Sequence, residues 1–141
     1  MTLDLDALET SFDLVAPRGD ELVDTFYARL FAAAPSVEPL FADTDLPEQK
    51  KMLLATLLLL RRSLRDLGAI VPKLRELGRR HVAYGVRPEH YYTVGAALLW
   101  TLEQGLGDAF TPAVHNAWAS AYGTLAAVMI AAAEDITEAA A

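Results

Sequence analysis

The sequence predicts an all-α protein of 141 residues that folds as one domain over residues 1–141. Three observations predict this class. Leu and Ala dominate the apolar 53% of the chain, β-branched residues are sparse, and prolines recur where helical periodicity begins. Short proline-marked connections and a very short third helix favour an irregular sandwich of six to eight helices over a regular four-helix bundle.

Capping residues and prolines place the helices in order along the chain. The segment Asp45-Leu-Pro-Glu48 is typical of a capping box, with Pro47 at the first helical position. The predicted helices run from about Asp4 to Val15, from Pro17 or Gly19 to Ala33, over the short turn Ser36–Phe41, from Pro47 to about Asp66 with an end near Gly68, from Val71 to Tyr84, from Pro88 to Gly105, and from Pro112 to about Thr137.

The last helix has the clearest 3.6-residue period, which points one face at a core. Small residues at Gly123, Ala127 and Ala131 form a ridge beside that face. We predict close packing of this ridge within the molecule, with a homodimer seam as the alternative. The core-facing residues are Val114, Trp118, Ala121, Tyr122, Leu125, Val128, Met129 and Ile136.

Composition excludes several classes of function. A formal net charge of −7 argues against nucleic acid as a partner, because phosphate binding needs a cationic surface. The absence of cysteine excludes disulfides, thiolate catalysis, iron–sulfur clusters, cysteine zinc sites and covalent haem attachment. The first residues lack a basic signal-peptide region, so we expect a cytoplasmic protein.

Two apolar stretches are candidates for membrane segments by their hydropathy. Met52–Leu60 is far shorter than the roughly 20 residues that a spanning helix needs. Ala109–Ala133 is long enough and lacks Asp, Glu, Lys and Arg, but it contains Pro112 and His115 and is rich in Ala. We expect a buried helix there and no transmembrane segment.

The sequence contains no complete catalytic motif of a known type. It has no Ser/His/Asp set, no facing pair of carboxylates, no zinc-ligand spacing and no phosphate-binding loop. His81 remains, on the same helix face as Leu74 and Leu77. Three arginines flank it: Arg79, Arg80 and Arg87. An apolar cleft with a cationic rim suits haem, which has a flat apolar macrocycle, ionised carboxylates and an iron that takes imidazole. The alternatives are a satisfied structural histidine and a solvated arginine face.

A second polar surface is expected opposite His81. Gln49 and Leu53 lie one turn apart on a Leu-rich helix face that Leu57 continues. Tyr27 sits among apolar residues, where a buried hydroxyl needs a partner. A ligand bound on the far side of an iron atom could supply that partner.

Several segments together carry a resemblance that covers essentially the whole chain. They are Thr25-Phe-Tyr-Ala-Arg-Leu-Phe31, Pro39-Leu-Phe41, Leu77-Gly-Arg-Arg-His81, His90-Tyr91 with Val94-Gly95, and Trp118-Ala-Ser-Ala-Tyr-Gly123. With these segments the sequence resembles the bacterial single-domain haemoglobins of the flavohaemoglobin-related group (Vitreoscilla haemoglobin-like). The resemblance implies a globin fold around haem b, bound without a covalent link.

The resemblance also implies roles for individual residues. His81 matches the proximal iron ligand, while Tyr27 and Gln49 match distal residues that stabilise a bound ligand. Gln49 rather than His at the distal position makes bis-histidine ligation unexpected. Cofactor-binding positions are implied at Phe31, Phe41, Leu53, Leu57, Leu77, Arg80, Val86, Tyr91, Val94, Tyr122, Leu125 and Met129.

One departure from the family pattern affects the proximal side. Flavohaemoglobins resemble one another in a glutamate that bonds the ligand histidine, and Ala133 stands at that position here, with Glu134 next. A shift of one residue rotates a helical side chain by about 100°. We therefore predict a more neutral His81 whose N–H bonds a backbone carbonyl, with weaker electron donation to iron.

The function implied is reversible binding of O₂ and other diatomic ligands. It would support oxygen supply, or conversion of NO and O₂ to nitrate with electrons from an external reductase, which leaves enzymatic activity open. The alternatives are a haem gas sensor that signals through a partner, and a haem-free globin-like interaction module that uses the small-residue ridge. A homodimer is possible in each case.

Overall fold

A computed structural model describes the backbone of residues 4–140 and the side chains of residues 4–134. Within that range the chain forms six α-helices joined by short turns, with no strand, so the predicted all-α class is confirmed. No helix in the described part is both long and apolar enough to cross a bilayer. The helices are α1 Leu5–Val15, α2 Gly19–Ala33, α3 Leu46–Ser63, α4 Val71–Ala83, α5 Pro88–Leu106 and α6 Pro112–Ala140.

Most helix starts lie where caps and prolines predict them. The Asp4 carboxylate accepts a 3.0 Å bond from the Ala7 N–H, and the Asp45 carboxylate accepts one of 3.3 Å from Glu48. The predicted end of α3 is wrong by three residues. Asp66 has φ −147° and ψ 60°, which interrupts the helix before a separate 3₁₀ turn. Four 3₁₀ segments lie between these helices of the described range: Ala16–Arg18, Pro35–Phe41, Leu67–Ile70 and Gly107–Ala109.

Buried apolar side chains form two clusters. The larger, here called the main core, joins all six helices, and in it the Trp118 indole donates a 2.8 Å bond to the buried Ser11 hydroxyl. The smaller, here called the aromatic cluster, lies between α2, α5 and the 35–41 turn. Its buried members are Phe26, Tyr27, Leu30, Val37 and Ala97.

Helix α6 packs through the predicted face but not through the predicted ridge. Trp118 and Ala121 are buried in the main core, whereas Gly123, Ala127 and Ala131 are all exposed. A Cβ added at Gly123 would meet no atom within 4 Å. The expected intramolecular packing of the ridge is therefore wrong, because these residues lie on the opposite side of α6. The side chain of Ile136, also assigned to the core face, lies outside the described residues.

An ion-pair network ties α1 to α3. Arg61 contacts the Asp13 carboxylate at 2.9 Å and the Glu9 carboxylate at 3.2 Å. Arg65 contacts Glu9 at 2.6 Å and Asp6 at 2.9 Å. These pairs are at the surface, so they contribute little individually, but as a connected set they fix the side-by-side register of the two helices.

Candidate functional site

His81 lies in the last turn of α4, on the face that also carries the buried Leu74 and Gly78. Its Nδ1 lies 2.6 Å from the carbonyl oxygen of Leu77. A carbonyl only accepts, so Nδ1 carries the proton and the lone pair is on Nε2. Burial lowers the pKa of His81, which favours the neutral imidazole. The predicted bond from this histidine to a backbone carbonyl is confirmed.

Two tyrosines from α5 and α6 form the wall beside His81. The Tyr91 ring stacks on the imidazole with ring centroids 6.2 Å apart. The Tyr122 hydroxyl donates a 2.6 Å bond to the backbone oxygen of Tyr91, and its ring lies so close to Gly95 that a Cβ there would be 2.7 Å from Cε2. Burial raises the pKa of both tyrosines, so both hydroxyls stay protonated. The Tyr91 hydroxyl is buried and has no bonding partner in the described part of the chain.

Tyr27 forms a second polar position, within the aromatic cluster. Its ring makes edge contacts with Phe26 and Phe41, with centroids 5.0 Å and 5.8 Å apart, and tilts against Phe31 at 6.0 Å. Its hydroxyl lies near the side chain of Gln49 on α3, and burial raises its pKa. The structure thus brings together Tyr27 and Gln49, which the sequence singled out on separate helices.

Helices α3 and α5 connect the Tyr27 region with the His81 region. On α3, Leu53 contacts the aromatic cluster, and Leu57, one turn later, contacts the main core. On α5, Tyr91 stacks on His81, and Val94, three residues later, packs in the aromatic cluster. The predicted apolar site residues therefore belong to both clusters, which these two helices connect.

Comparison with known proteins decides the family. The family model described as Globin matches residues 24–129. The chain belongs to the globin family. Membership implies that this globin binds haem, and it confirms the resemblance on which the site assignments were based.

The relatives of this globin include longer proteins. The flavohemoprotein of Bacillus subtilis is 30% identical over 136 residues, which cover 95% of this chain and 34% of that protein. The flavohemoprotein of Deinococcus radiodurans is 37% identical over 114 residues, covering 79% and 28% respectively. The chain thus spans about a third of the length of these curated relatives. A solved bacterial globin from Campylobacter jejuni superposes with a TM-score of 0.83 at 26% identity, over 95% of this chain and 96% of that one.

The residues of this globin fit a bound haem on three observations. His81 has its lone pair on Nε2, the buried Tyr91 hydroxyl has no partner in the described residues, and apolar side chains of both clusters are incompletely covered. A flat apolar group would remove that surface from water. The half-buried side chains are Phe31, Phe41, Leu53, Leu57, Leu77, Val86, Val94, Tyr122, Leu125 and Met129.

The arginines expected at the rim lie on the surface of this globin. Arg80 is exposed and pairs with Glu76 at 2.7 Å, and Arg87 contacts Glu89 at 3.6 Å. Arg87 also donates its backbone N–H to Nδ1 of His90 over 2.9 Å, a cap that sequence reasoning missed. Spacing alone could have indicated it, since the two residues are three apart at a helix start.

Two further residues, Glu134 and Gly78, concern the predicted proximal side, the side of His81. Glu134 is exposed, as the rotation argument predicted. Gly78 was not singled out for packing, although a Cβ there would lie 2.8 Å from Cα of Met129 on α6. A buried glycine in a helix interior at the predicted ligand face is the signal that could have revealed this close crossing.

Proposed function

We propose that this globin holds haem b through His81 and binds O₂ and other diatomic gases reversibly. The observation that carries the proposal is the hydrogen bond between His81 Nδ1 and the Leu77 carbonyl, which leaves Nε2 as the coordinating atom. Haem, when bound, supplies a ferrous iron with a coordination position for a small gas.

Each neighbouring residue has a defined task in this proposal. The Leu77 carbonyl fixes the tautomer and the orientation of the imidazole. Because a carbonyl is a weaker acceptor than a carboxylate, it leaves His81 a weaker electron donor than a histidine bonded to a glutamate. Tyr27 stays protonated and donates a hydrogen bond to the gas, and Gln49 holds its hydroxyl in place. Phe31 and Phe41 limit water at that position.

Two physiological uses follow from the same site. One is oxygen supply, which needs only reversible binding. The other is NO detoxification, in which NO, O₂ and one electron give nitrate, and the electron comes from a separate reductase. Similarity to proteins named flavohemoproteins supports this second use. Signalling of gas levels through a partner protein is the competing function of the same pocket.

A spectroscopic experiment tests the proposal. The protein is produced with haem available and the Soret absorption is measured in wild type, His81→Ala and His115→Ala. His115 is exposed on α6, so its replacement controls for loss of a histidine as such. We expect the band in wild type and His115→Ala and its loss in His81→Ala. A band that survives His81→Ala excludes His81 as the ligand, and a wild type without the band favours a haem-free interaction module. Capture of partner proteins under O₂, CO and ligand-free conditions tests the sensor alternative. If the protein is a sensor, the captured partner should change with the gas.

A further inference from the structure

Positive charge is concentrated around His81 in an otherwise acidic chain. Between residues 71 and 90 there are five basic side chains and two acidic ones, whereas the whole chain has 12 basic and 19 acidic residues. The local excess of positive charge is therefore opposite in sign to the net charge of −7. We call the five basic residues the α4 cationic surface: Lys73, Arg75, Arg79, Arg80 and Arg87.

All five cations are exposed, and the helix period gives their positions on α4 relative to His81. Leu74, Gly78 and His81 recur every three or four residues and form the inward face of α4. Lys73 and Arg80 lie on one flank of that face, and Arg75 and Arg79 lie toward the other. Arg87 follows in the turn to α5.

Stability of the helix accounts for Arg80, which lies in the last turn and pairs with Glu76, but not for Lys73. Lys73 lies in the first turn of α4, which has no acidic residue, and a cation there opposes the helix dipole. Arg80 and Arg87 have carboxylate neighbours, but neither Lys73 nor Arg79 forms an ion pair within the described residues. Lys73 and Arg79 are thus available to a partner of negative charge.

Exposed aromatic and apolar side chains lie in the same segment. Tyr84 is 61% exposed and Tyr92 78%, and the more modestly exposed Val82 lies between the basic side chains of α4 and the turn. The Tyr84 ring centroid is 6.1 Å from that of His81. Arg and Tyr are the residue types enriched in protein interfaces, where charge steers approach and aromatic rings supply contact area.

We propose that the α4 cationic surface docks an acidic electron-transfer protein, which gives one electron to the ferric iron and returns it to the ferrous state. This inference rests on the proposed function, because the electron acceptor is the haem held by His81. Charge complementarity selects the partner: the surface attracts a compact acidic patch, while the acidic remainder of the chain repels an extended polyanion such as DNA.

Charge reversal tests the surface. Ferric haem-loaded protein is mixed with reduced flavodoxin, an acidic one-electron donor, and the reduction rate is followed at several salt concentrations. Arg79→Glu is compared with Arg62→Glu, an equally large charge change at an exposed position on α3. We expect Arg79→Glu to slow the second-order rate about fivefold at low salt, with the difference disappearing at high salt. Lys73→Glu provides a second variant, with the same expectation.

Several outcomes would overturn the docking surface. Equal rates for Arg79→Glu and Arg62→Glu, or a wild-type rate independent of salt, would do so. Binding of a DNA duplex or an anionic vesicle would also overturn it, if Arg79→Glu abolished that binding and left the binding of flavodoxin unchanged. Calorimetric titration of the haem-free protein with oxidised flavodoxin keeps the two proposals apart: absence of a Soret band defeats the haem proposal, whereas absence of salt-sensitive binding defeats the docking surface.

Discussion

Gly78 of α4 lies against the backbone of Met129 on α6, so closely that a Cβ at residue 78 would be 2.8 Å from Cα of Met129. His81 follows three residues later on the same face of α4. The absence of a side chain at one position therefore sets how near α4 approaches α6, and with it the position of His81.

Replacement of Gly78 by alanine should destabilise the fold. Because backbone atoms occupy the space, the helices must separate, and we expect a loss of about 1–3 kcal/mol in the free energy of unfolding. Urea denaturation of the haem-free protein measures it. Gly123→Ala is the matched control on α6, since its Cβ meets no atom within 4 Å. It should stabilise the protein by about 0.5–1 kcal/mol. Equal effects of the two changes would contradict the close crossing.

Replacement of Tyr27 by phenylalanine should weaken gas binding without unfolding the aromatic cluster. The ring contacts remain, while a hydrogen bond worth about 1–2 kcal/mol is lost. O₂ should then dissociate about tenfold faster from the haem-loaded protein, which flash photolysis or stopped-flow mixing measures. Tyr92→Phe, at a 78% exposed position, should leave the rate unchanged. A normal rate in Tyr27→Phe would remove this hydroxyl from the site.

Removal of the Tyr91 and Tyr122 hydroxyls should have opposite consequences for stability. The Tyr91 hydroxyl is buried without a partner among the described residues, so Tyr91→Phe should leave the haem-free protein equally stable or more stable. Tyr122→Phe loses the 2.6 Å bond to the Tyr91 carbonyl and should cost about 1 kcal/mol. Thermal and urea unfolding of both variants checks the contrast. A large loss in Tyr91→Phe would mean that its hydroxyl has a partner in solution.

The α1–α3 ion pairs should make stability depend on acid pH. A hydrogen bond from Arg61 lowers the pKa of Asp13 in the folded protein. Because the pKa of Asp13 is lower in the folded than in the unfolded protein, the ionised carboxylate stabilises the fold above about pH 4. This stabilisation is lost as the pH falls through the pKa of the folded protein. Arg61→Gln should therefore raise the pKa of Asp13, seen by NMR titration, and flatten the acid limb of the stability profile. Arg62→Gln should leave both unchanged.

Local chemistry made most of the fold predictable from the sequence. Asp4, Pro47 and Pro88 mark helix starts through capping and fixed φ, which depend only on near neighbours. The predicted end of α3 is wrong because the backbone of Asp66 leaves the helical region, and no proline in that stretch marks the end of the helix. The Gly123 ridge was misassigned because composition does not tell which side of a helix another helix covers.

The sequence predicts which residues belong to the candidate site, but not the contacts between them. Helical spacing and family resemblance indicated His81, Tyr27 and Gln49 separately. The proximity of Tyr27 and Gln49 involves side chains from α2 and α3, and no local pattern encodes a contact across that distance in sequence. The closeness of Gly78 to Met129 was missed for the same reason.

Gly85 closes the last turn of α4 with φ +86°, and the N–H of Val86 then donates a 3.0 Å bond to the carbonyl oxygen of His81. A residue with a Cβ would hold this left-handed backbone only at a cost of about 1–2 kcal/mol. The histidine that we propose as the iron ligand is thus anchored at its carbonyl by a turn that favours an achiral residue. If His81 is the ligand, as we propose, retention of haem depends in part on the handedness of the backbone four residues beyond it.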